Sequence, residues 1–270
     1  MKKITWNISL TINKNEFSFT ISNPISVSRT ISLSHQSNAF NLPQFTSSAF
    51  SYEDVFTGDV LQGGSCNVDV LSFCPHNLTH IECSSHILNQ RVSQAVTIDK
   101  IPQDHFQGLV YLIDLSTILK EEKLILMEHL KDELAKVNYP INAIALKTSS
   151  SLLQNDYDFS GKNFVALSRE VAKEISKYSF EGQNITTLIL DLPSTDSEND
   201  GGKLLAHRAF FEIPETGIEF KDIKKKVIVE LAHFGQLVQN YYYFIMTPAK
   251  IQSNSIITDI LFYPLIQNQK

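Results

Sequence analysis

The chain has 270 residues, of which 43% are hydrophobic and 19% are charged, and its formal net charge at pH 7 is −6. This length and composition predict a globular protein with a sizeable hydrophobic core. The acidic balance argues against nucleic acid, because phosphate binding needs a basic surface. No stretch approaches the roughly 20 apolar residues of a membrane span, so we expect neither nucleic acid nor a membrane as a partner.

The three cysteines form no C-x-x-C pair, and their number is odd. Two lysines follow the first methionine, but polar residues interrupt the stretch after them, so it does not resemble a signal peptide. We therefore expect reduced thiols in a cytoplasmic protein.

The first part of the chain alternates apolar and polar residues, as half-buried strands do. Two such stretches are residues 17–21 and 27–33, and residues 34–65 are typical of an ordered loop region. We predict one domain over residues 1–270, in which residues 1–60 form a strand-rich N-terminal arm.

From residue 108 onwards, predicted strands alternate with amphipathic helices. The helices are predicted at residues 119–136 and from Ser168, whose hydroxyl suits an N-cap. The strands are predicted at residues 108–115, 141–146, 185–191, 227–231, 241–245 and 256–262. This alternation predicts an α/β fold.

Three of the eight histidines and one carboxylate fall within eleven residues, as His76, His80, Glu82 and His86. Imidazole and carboxylate are frequent ligands of catalytic divalent metals, so the pattern predicts a metal site that also carries a spare base. Pro75 argues against one long helix, and we expect a loop or short turn beside a strand. Hydrogen-bonded core residues or a polar surface loop are the alternative.

Two further candidate ligands lie far downstream. His207 follows the acidic loop at residues 191–200 and is predicted on or near a short helix. Glu230 lies within an apolar strand, where a carboxylate costs several kcal/mol unless it is paired or bound to a metal. The alternative for Glu230 is an edge position that faces water. Together with the cluster, both residues are predicted metal ligands.

Four segments in the same order point to one family. Residues 76–86 are similar to H-x-G-T-H-x-D-x-P-x-H, and residues 191–196 to D-x-P-S-x-D. Residues 203–207 are similar to K-x-x-A-H, and residues 228–231 to a strand that ends in I-x-E-N. The chain therefore resembles the cyclase family of metal-dependent hydrolases, of the kynurenine formamidase and isatin hydrolase type.

The resemblance implies a mixed-sheet α/β domain of the swivelling β/β/α type. It also implies one or two divalent ions, zinc or manganese, with Glu82 and Glu230 as bridges and His86 free as a general acid and base. The implied metal ligands are His76, His80, Glu82, His207 and Glu230.

The implied reaction is hydrolysis of an amide, formamide or cyclic amide C–N bond by a metal-activated water. A small-molecule substrate and a homodimer or homotetramer are implied as well. Leu78, Glu82 and Ser84 stand where the family pattern has glycine, aspartate and proline. These departures leave open a catalytically altered metal- or ligand-binding protein on the same scaffold.

Overall fold

The computed structural model describes residues 7–12, 15–20, 23–34, 36–88, 96–119, 122–154, 156–214 and 222–267. Its helices are α1 Met127–Leu134, α2 Arg169–Lys177 and α3 Leu205–Phe210. Its strands are β1 Asn7–Ile12, β2 Asn15–Thr20, β3 Ile25–Ser26, β4 Thr46–Ala49, β5 Ser51–Tyr52, β6 Phe56–Thr57, β7 Asp69–Ser72, β8 His80–Cys83, β9 Gln107–Asp114, β10 Leu124–Ile125, β11 Ala143–Lys147, β12 Ala166–Leu167, β13 Ser179–Phe180, β14 Gln183–Asn184, β15 Thr187–Leu190, β16 Val227–Glu230, β17 Asn240–Met246, β18 Ser255–Ile257, β19 Ile260–Pro264 and β20 Ile266–Gln267.

A mixed sheet of nine strands forms the centre of the fold, in the order β18-β8-β16-β15-β11-β9-β17-β19-β3. The four middle strands β16, β15, β11 and β9 run parallel, and the strands on both flanks are antiparallel to their neighbours. The middle strands are almost continuous apolar runs, as expected of strands covered on both faces. The predicted α/β fold with a mixed sheet is confirmed.

The sheet separates two apolar layers. Because successive side chains of a strand point to opposite faces, Ile144 and Leu146 of β11 pack in one layer, while Ala143 and Ala145 pack in the other. The first layer also contains buried side chains of the three helices in the described residues, among them Val171 of α2.

Several predicted elements keep their place in the structure. Residues 108–115, 141–146, 185–191, 227–231 and 241–245 correspond to β9, β11, β15, β16 and β17. The N-cap at Ser168 is confirmed, because Val171 N donates a hydrogen bond to Ser168 Oγ at 3.2 Å.

Four predicted elements differ. The loop region predicted at residues 34–65 contains the short strands β4, β5 and β6. The helix predicted at residues 119–136 is shorter, because residues 124–125 pair with β12 instead; residues 120 and 121 lie outside the described residues. The strand predicted at residues 27–33 is wrong, since only an isolated bridge joins Ser28 to Ala232 there. The strand predicted at residues 256–262 is two strands, β18 and β19.

The sheet curls, and this curl shapes the region of the site. Strands β18 and β19 lie near opposite edges of the sheet, yet only Thr258 and Asp259 separate them in the chain. Thr258 N donates to Thr79 O next to β8, and Ile260 N donates to Ser28 Oγ near β3. The two edges therefore approach one another beside the histidine cluster.

The described part of residues 7–57 contains the six strands β1 to β6. The N-terminal arm over residues 1–60 and the single domain over residues 1–270 stay predictions. Within the described ranges, none of the helices has both the length and the apolar character that crossing a membrane requires.

Candidate metal centre

Strand β8 carries two of the predicted ligands. His80 and Glu82 are two residues apart on this strand and therefore point to the same face. Glu230, the last residue of β16, lies opposite His80 in the antiparallel register. All three side chains are buried. His76 and His86 lie on short 3-10 turns, Pro75–Asn77 and Ser84–Ile87, on either side of the strand.

Helix α3 brings His207 to the same place. Its start is held by Asp196, which accepts hydrogen bonds from Ala206 N at 2.7 Å and from His207 N at 3.0 Å. His207 Nε2 lies 2.7 Å from Glu82 Oε1. The structure thus brings together all six residues singled out in the sequence.

Glu82 lies at the centre of this group. Its Oε2 is 3.8 Å from His76 Nδ1, 3.9 Å from His80 Nε2 and 3.8 Å from His86 Nε2. Glu230 is 3.6 Å from His80 Nε2 and 3.5 Å from His207 Nε2. Ligands around one zinc-sized ion are separated by roughly 3 to 3.5 Å, so most of these distances are only slightly longer.

The donors fall into two overlapping sets whose ligand atoms lie within 4.8 Å of one another. One contains His76, His80, Glu82 and Glu230, and the other contains Glu82 with His86 and His207. Glu82 belongs to both sets, as a carboxylate shared by two ions would.

Several atoms that face the centre are buried without a hydrogen bond of good geometry, namely His80 Nε2, His207 Nε2 and both oxygens of Glu82, although His207 Nε2 and Glu82 Oε1 lie 2.7 Å apart. The opposite ring nitrogens are bonded: His80 Nδ1 lies 2.8 Å from Leu78 O, and His207 Nδ1 lies 2.6 Å from Asp196 Oδ2. A proton on Nδ1 leaves the Nε2 lone pair free, as in histidines that ligate metals. The residues therefore fit a divalent cation.

Burial and mutual repulsion make two carboxylates costly here. Burial raises the pKa of Glu230, and the charge of Glu82 adds to the rise, which reaches about 8. Burial opposes ionisation of Glu82 too, but His207 and His86 outweigh it and keep the pKa of Glu82 below its usual value.

The histidines divide by environment. Burial, reinforced by His80, lowers the pKa of His76 to about 3, and burial lowers the pKa of His80 as well. Burial also disfavours the charged form of His207, but Glu82 and Asp196 outweigh it and raise its pKa well above the ordinary value. In the metal-free protein, a proton on His207 therefore supplies a positive charge beside the ionised Glu82, whose Oε1 lies 2.7 Å from His207 Nε2.

Three supporting residues were not assigned from the sequence. Asp196 orients His207, Thr195 donates to Glu230 Oε1 from its N at 2.6 Å and its Oγ1 at 2.9 Å, and Ser255 Oγ lies 3.3 Å from His76 Nε2. Asp196 and Thr195 belong to the D-x-P-S-x-D segment, so the family resemblance could have pointed to them. Nothing in the sequence points to Ser255, because only the pairing of β18 with β8 brings it to the site.

Residues 21–197 match the sequence family described as "Putative cyclase", which is more than half of the chain. The chain belongs to the Cyclase family. No curated protein sequence gives a significant match.

Solved structures share the fold of this Cyclase-family chain. Isatin hydrolase A from Labrenzia aggregata has a TM-score of 0.66 at 15% identity, covering 89% of this chain and 93% of that chain. Isatin hydrolase A from Ralstonia solanacearum has a TM-score of 0.65 at 15% identity, covering 90% and 92%. The "predicted metal-dependent hydrolase" from Bacillus stearothermophilus has a TM-score of 0.62 at 13% identity, covering 89% and 98%.

Two departures from the Cyclase-family pattern fit the local backbone. Leu78 has a φ of −127°, which any residue adopts, so this position does not require glycine. Its carbonyl is the group that orients His80. Ser84 begins a 3-10 turn, a place that proline tolerates but does not have to fill.

Proposed function

We propose that this protein is a metal-dependent hydrolase that cleaves an amide, formamide or cyclic amide C–N bond in a small molecule. One observation carries the proposal: nitrogen and oxygen atoms that can bind a cation, most of them buried, converge around Glu82. The structural neighbours include a predicted metal-dependent hydrolase and an isatin hydrolase, and this supports the reaction class.

In this proposal the chain holds one or two divalent ions, zinc or manganese. His76 and His80 would hold one ion, and His207 would hold the second. Glu82 and Glu230 would be the shared carboxylates, because each lies within 4 Å of histidines from both parts of the site. Imidazole suits zinc and carboxylate suits manganese, so a mixed set accepts either.

A divalent cation held by these residues would supply a water of lowered pKa and polarise the substrate carbonyl. Hydrolysis joins a water oxygen to the carbonyl carbon, breaks the C–N bond and leaves a proton to be moved to the departing nitrogen. His86 is our candidate for moving this proton, because histidine is the side chain that most often acts as a general acid and base. Its side chain is 26% exposed, whereas that of His80 is fully buried.

Asp196→Asn should weaken metal binding without unfolding the protein. Asparagine keeps the shape, but a neutral amide cannot hold the His207 Nδ1 proton as the carboxylate does at 2.6 Å. Loss of such support typically costs about 10- to 100-fold in metal affinity. Competition with a chromophoric chelator measures the affinity, and unchanged binding would remove Asp196 from the site.

The stabilisation that zinc or manganese gives should grow as pH rises. A raised folded-state pKa of His207 stabilises the metal-free fold at pH values below the unfolded pKa, and this contribution is lost as pH rises through the folded pKa. A cation must displace that proton, so protons compete with it at low pH. Thermal melts with and without metal across a pH series measure the effect, and a gain in Tm that shrinks with rising pH would contradict it.

The test of the function itself is hydrolysis of formanilide-type, linear and cyclic amides after chelation and metal repletion. Activity that returns with metal supports the hydrolase. A chain that binds metal but cleaves none of these substrates supports the alternative, a catalytically altered binding protein.

We also propose a cytoplasmic setting. The three cysteines Cys66, Cys74 and Cys83 are free, and Cys66 is exposed. Free exposed thiols are typical of reducing compartments.

A further inference from the structure

A cavity of about 380 Å³ lies at the end of the sheet opposite the candidate metal centre. Lys226, which lines this cavity, directly precedes β16, and Glu230 ends that strand. At about 3.3 Å per residue, the strand separates these two residues by roughly 13 Å. Thr186, which directly precedes the parallel neighbour β15, lines the cavity as well. The cavity is therefore separate from the metal centre.

Four lysines line this cavity, which we call the lysine cavity: Lys177, Lys224, Lys225 and Lys226. Lys177 is the last residue of α2, and the other three form an uninterrupted run before β16. Glu212 is the one carboxylate among the described lining residues. Four lysines against one glutamate leave an excess of three positive charges, in a chain whose formal net charge is −6.

Of the four lysines, the described residues give an acidic partner to Lys226 alone. Its Nζ lies 2.7 Å from Glu212 Oε1 and donates to Ser176 O and Ser176 Oγ at 2.6 and 2.7 Å. The other three lysines are exposed. Burial lowers the pKa of Lys226, and although Glu212 opposes this change, the charge of Lys224 adds to it. The lysines therefore repel one another, and an anion in the cavity would relieve this repulsion.

Neutral hydrogen-bonding groups also line the lysine cavity. His105 Nδ1 is buried and has no hydrogen-bond partner within the described ranges. The main chain of His105 is fixed, because Thr187 Oγ1 donates to His105 O at 2.9 Å. Asn184 adds an exposed amide. The cavity thus combines positive charge with groups that can hydrogen-bond the oxygens of an anion.

Size and charge indicate the class of ligand. The volume lies within the roughly 300 to 1,000 Å³ of small-molecule sites. A phosphate ester carries a charge of roughly −1.5 to −2 at pH 7 and three acceptor oxygens, and lysine binds it as a point charge. Carboxylates are better matched by the fork of an arginine, and no arginine is among the described lining residues. Nucleic acid would need a broad basic surface rather than a cavity in an acidic chain.

We propose that the lysine cavity binds the phosphate group of a soluble small molecule. Lys177, Lys224 and Lys225 supply the positive charge, and Asn184 and His105 supply hydrogen bonds. The phosphate site does not depend on the metal centre or on the proposed hydrolysis, so a failure of either one leaves the other in place.

Isothermal titration calorimetry with pyrophosphate tests the site. The full chain is freed of metal by chelation and the chelator is removed by dialysis, because a metal ion or a chelator would itself compete. Lys224→Gln/Lys225→Gln should bind pyrophosphate about 10- to 100-fold more weakly than wild type, because two charge-assisted hydrogen bonds are lost. A wild type that does not bind pyrophosphate, or a double variant that binds it as tightly as wild type, overturns the proposal.

The matched control is Lys131→Gln/Lys162→Gln, which removes the same charge at exposed positions outside the cavity. It should bind pyrophosphate like wild type, and an equal loss in the control would reduce the effect to net charge and overturn the site. Lys177→Gln changes a different element and should weaken binding about tenfold. Circular dichroism checks that each variant keeps the fold, which we expect because all the substituted lysines are exposed.

Two further probes decide the source of the anion. Citrate should bind more weakly than pyrophosphate, and equal or tighter binding of citrate would overturn the assignment to phosphate. The chain should not co-sediment with phosphatidylcholine vesicles that contain phosphatidylinositol phosphate. Co-sedimentation that Lys224→Gln/Lys225→Gln abolishes would assign the cavity to a lipid headgroup and overturn the soluble ligand.

Discussion

Glu82→Gln is expected to remove metal binding and hydrolysis together while the fold persists. Glu82 lies within 4 Å of four histidines and belongs to both donor sets. The amide cannot bridge two cations or balance their charge. Losing about 4 kcal/mol of transition-state stabilisation corresponds to about 1,000-fold in kcat/KM, and we expect at least this loss. Metal content by elemental analysis and amide hydrolysis measure it.

Glu128→Gln is the matched control, because the Glu128 side chain is 75% exposed. Circular dichroism should show the same fold for both variants, since glutamine keeps the shape of glutamate and Asp196 still pairs with His207. A Glu82→Gln protein that retains both metal and rate would mean that the donors around Glu82 are only a buried polar network.

His86→Gln is expected to retain the metal and to lose hydrolysis by about 100- to 10,000-fold, the usual contribution of a general acid and base. Glutamine can neither accept nor return a proton near neutral pH. The His86 ring lies 4.7 Å from that of His76 and 5.8 Å from that of His207, at the more exposed side of the site. Elemental analysis and steady-state kinetics give the two readouts.

The same experiment separates two roles that the geometry permits. His86 Nε2 is 3.8 Å from Glu82 Oε2, so it could also ligate an ion. Loss of metal in His86→Gln would make His86 a ligand, and full activity would remove it from the mechanism. His129→Gln on α1 is the control, because His129 contacts Leu126 N, which precedes that helix.

The site residues could be predicted because their chemistry is unusual for their position. Three histidines in eleven residues, and a glutamate inside an apolar strand, are hard to explain as surface or core. The short distance between His207 and Glu82 could not be predicted from residue chemistry. It depends on Asp196, which holds the start of α3, and on the pairing of β16 with β8.

The errors in the fold arose where tertiary pairing overrides local pattern. Leu124 and Ile125 fit a helical stripe but pair with Ala166 and Leu167. The apolar run at residues 256–262 looks like one strand, since nothing in its alternation shows that the curled sheet takes its two halves to opposite edges. Propensity is a weak guide at such positions.

The pairing of β8 with β16 determines at which stage of synthesis and folding the protein can bind a cation. Thr79, next to β8, donates to the carbonyl of Leu231, next to β16, across 152 positions of sequence. A nascent chain that has left the ribosome only as far as the histidine cluster lacks His207 and Glu230, and so lacks a complete cage. The metal ion should therefore bind only after the whole chain has been synthesised. Removal of the ion should release a strand that docks late in folding more readily than the strands at the centre of the sheet.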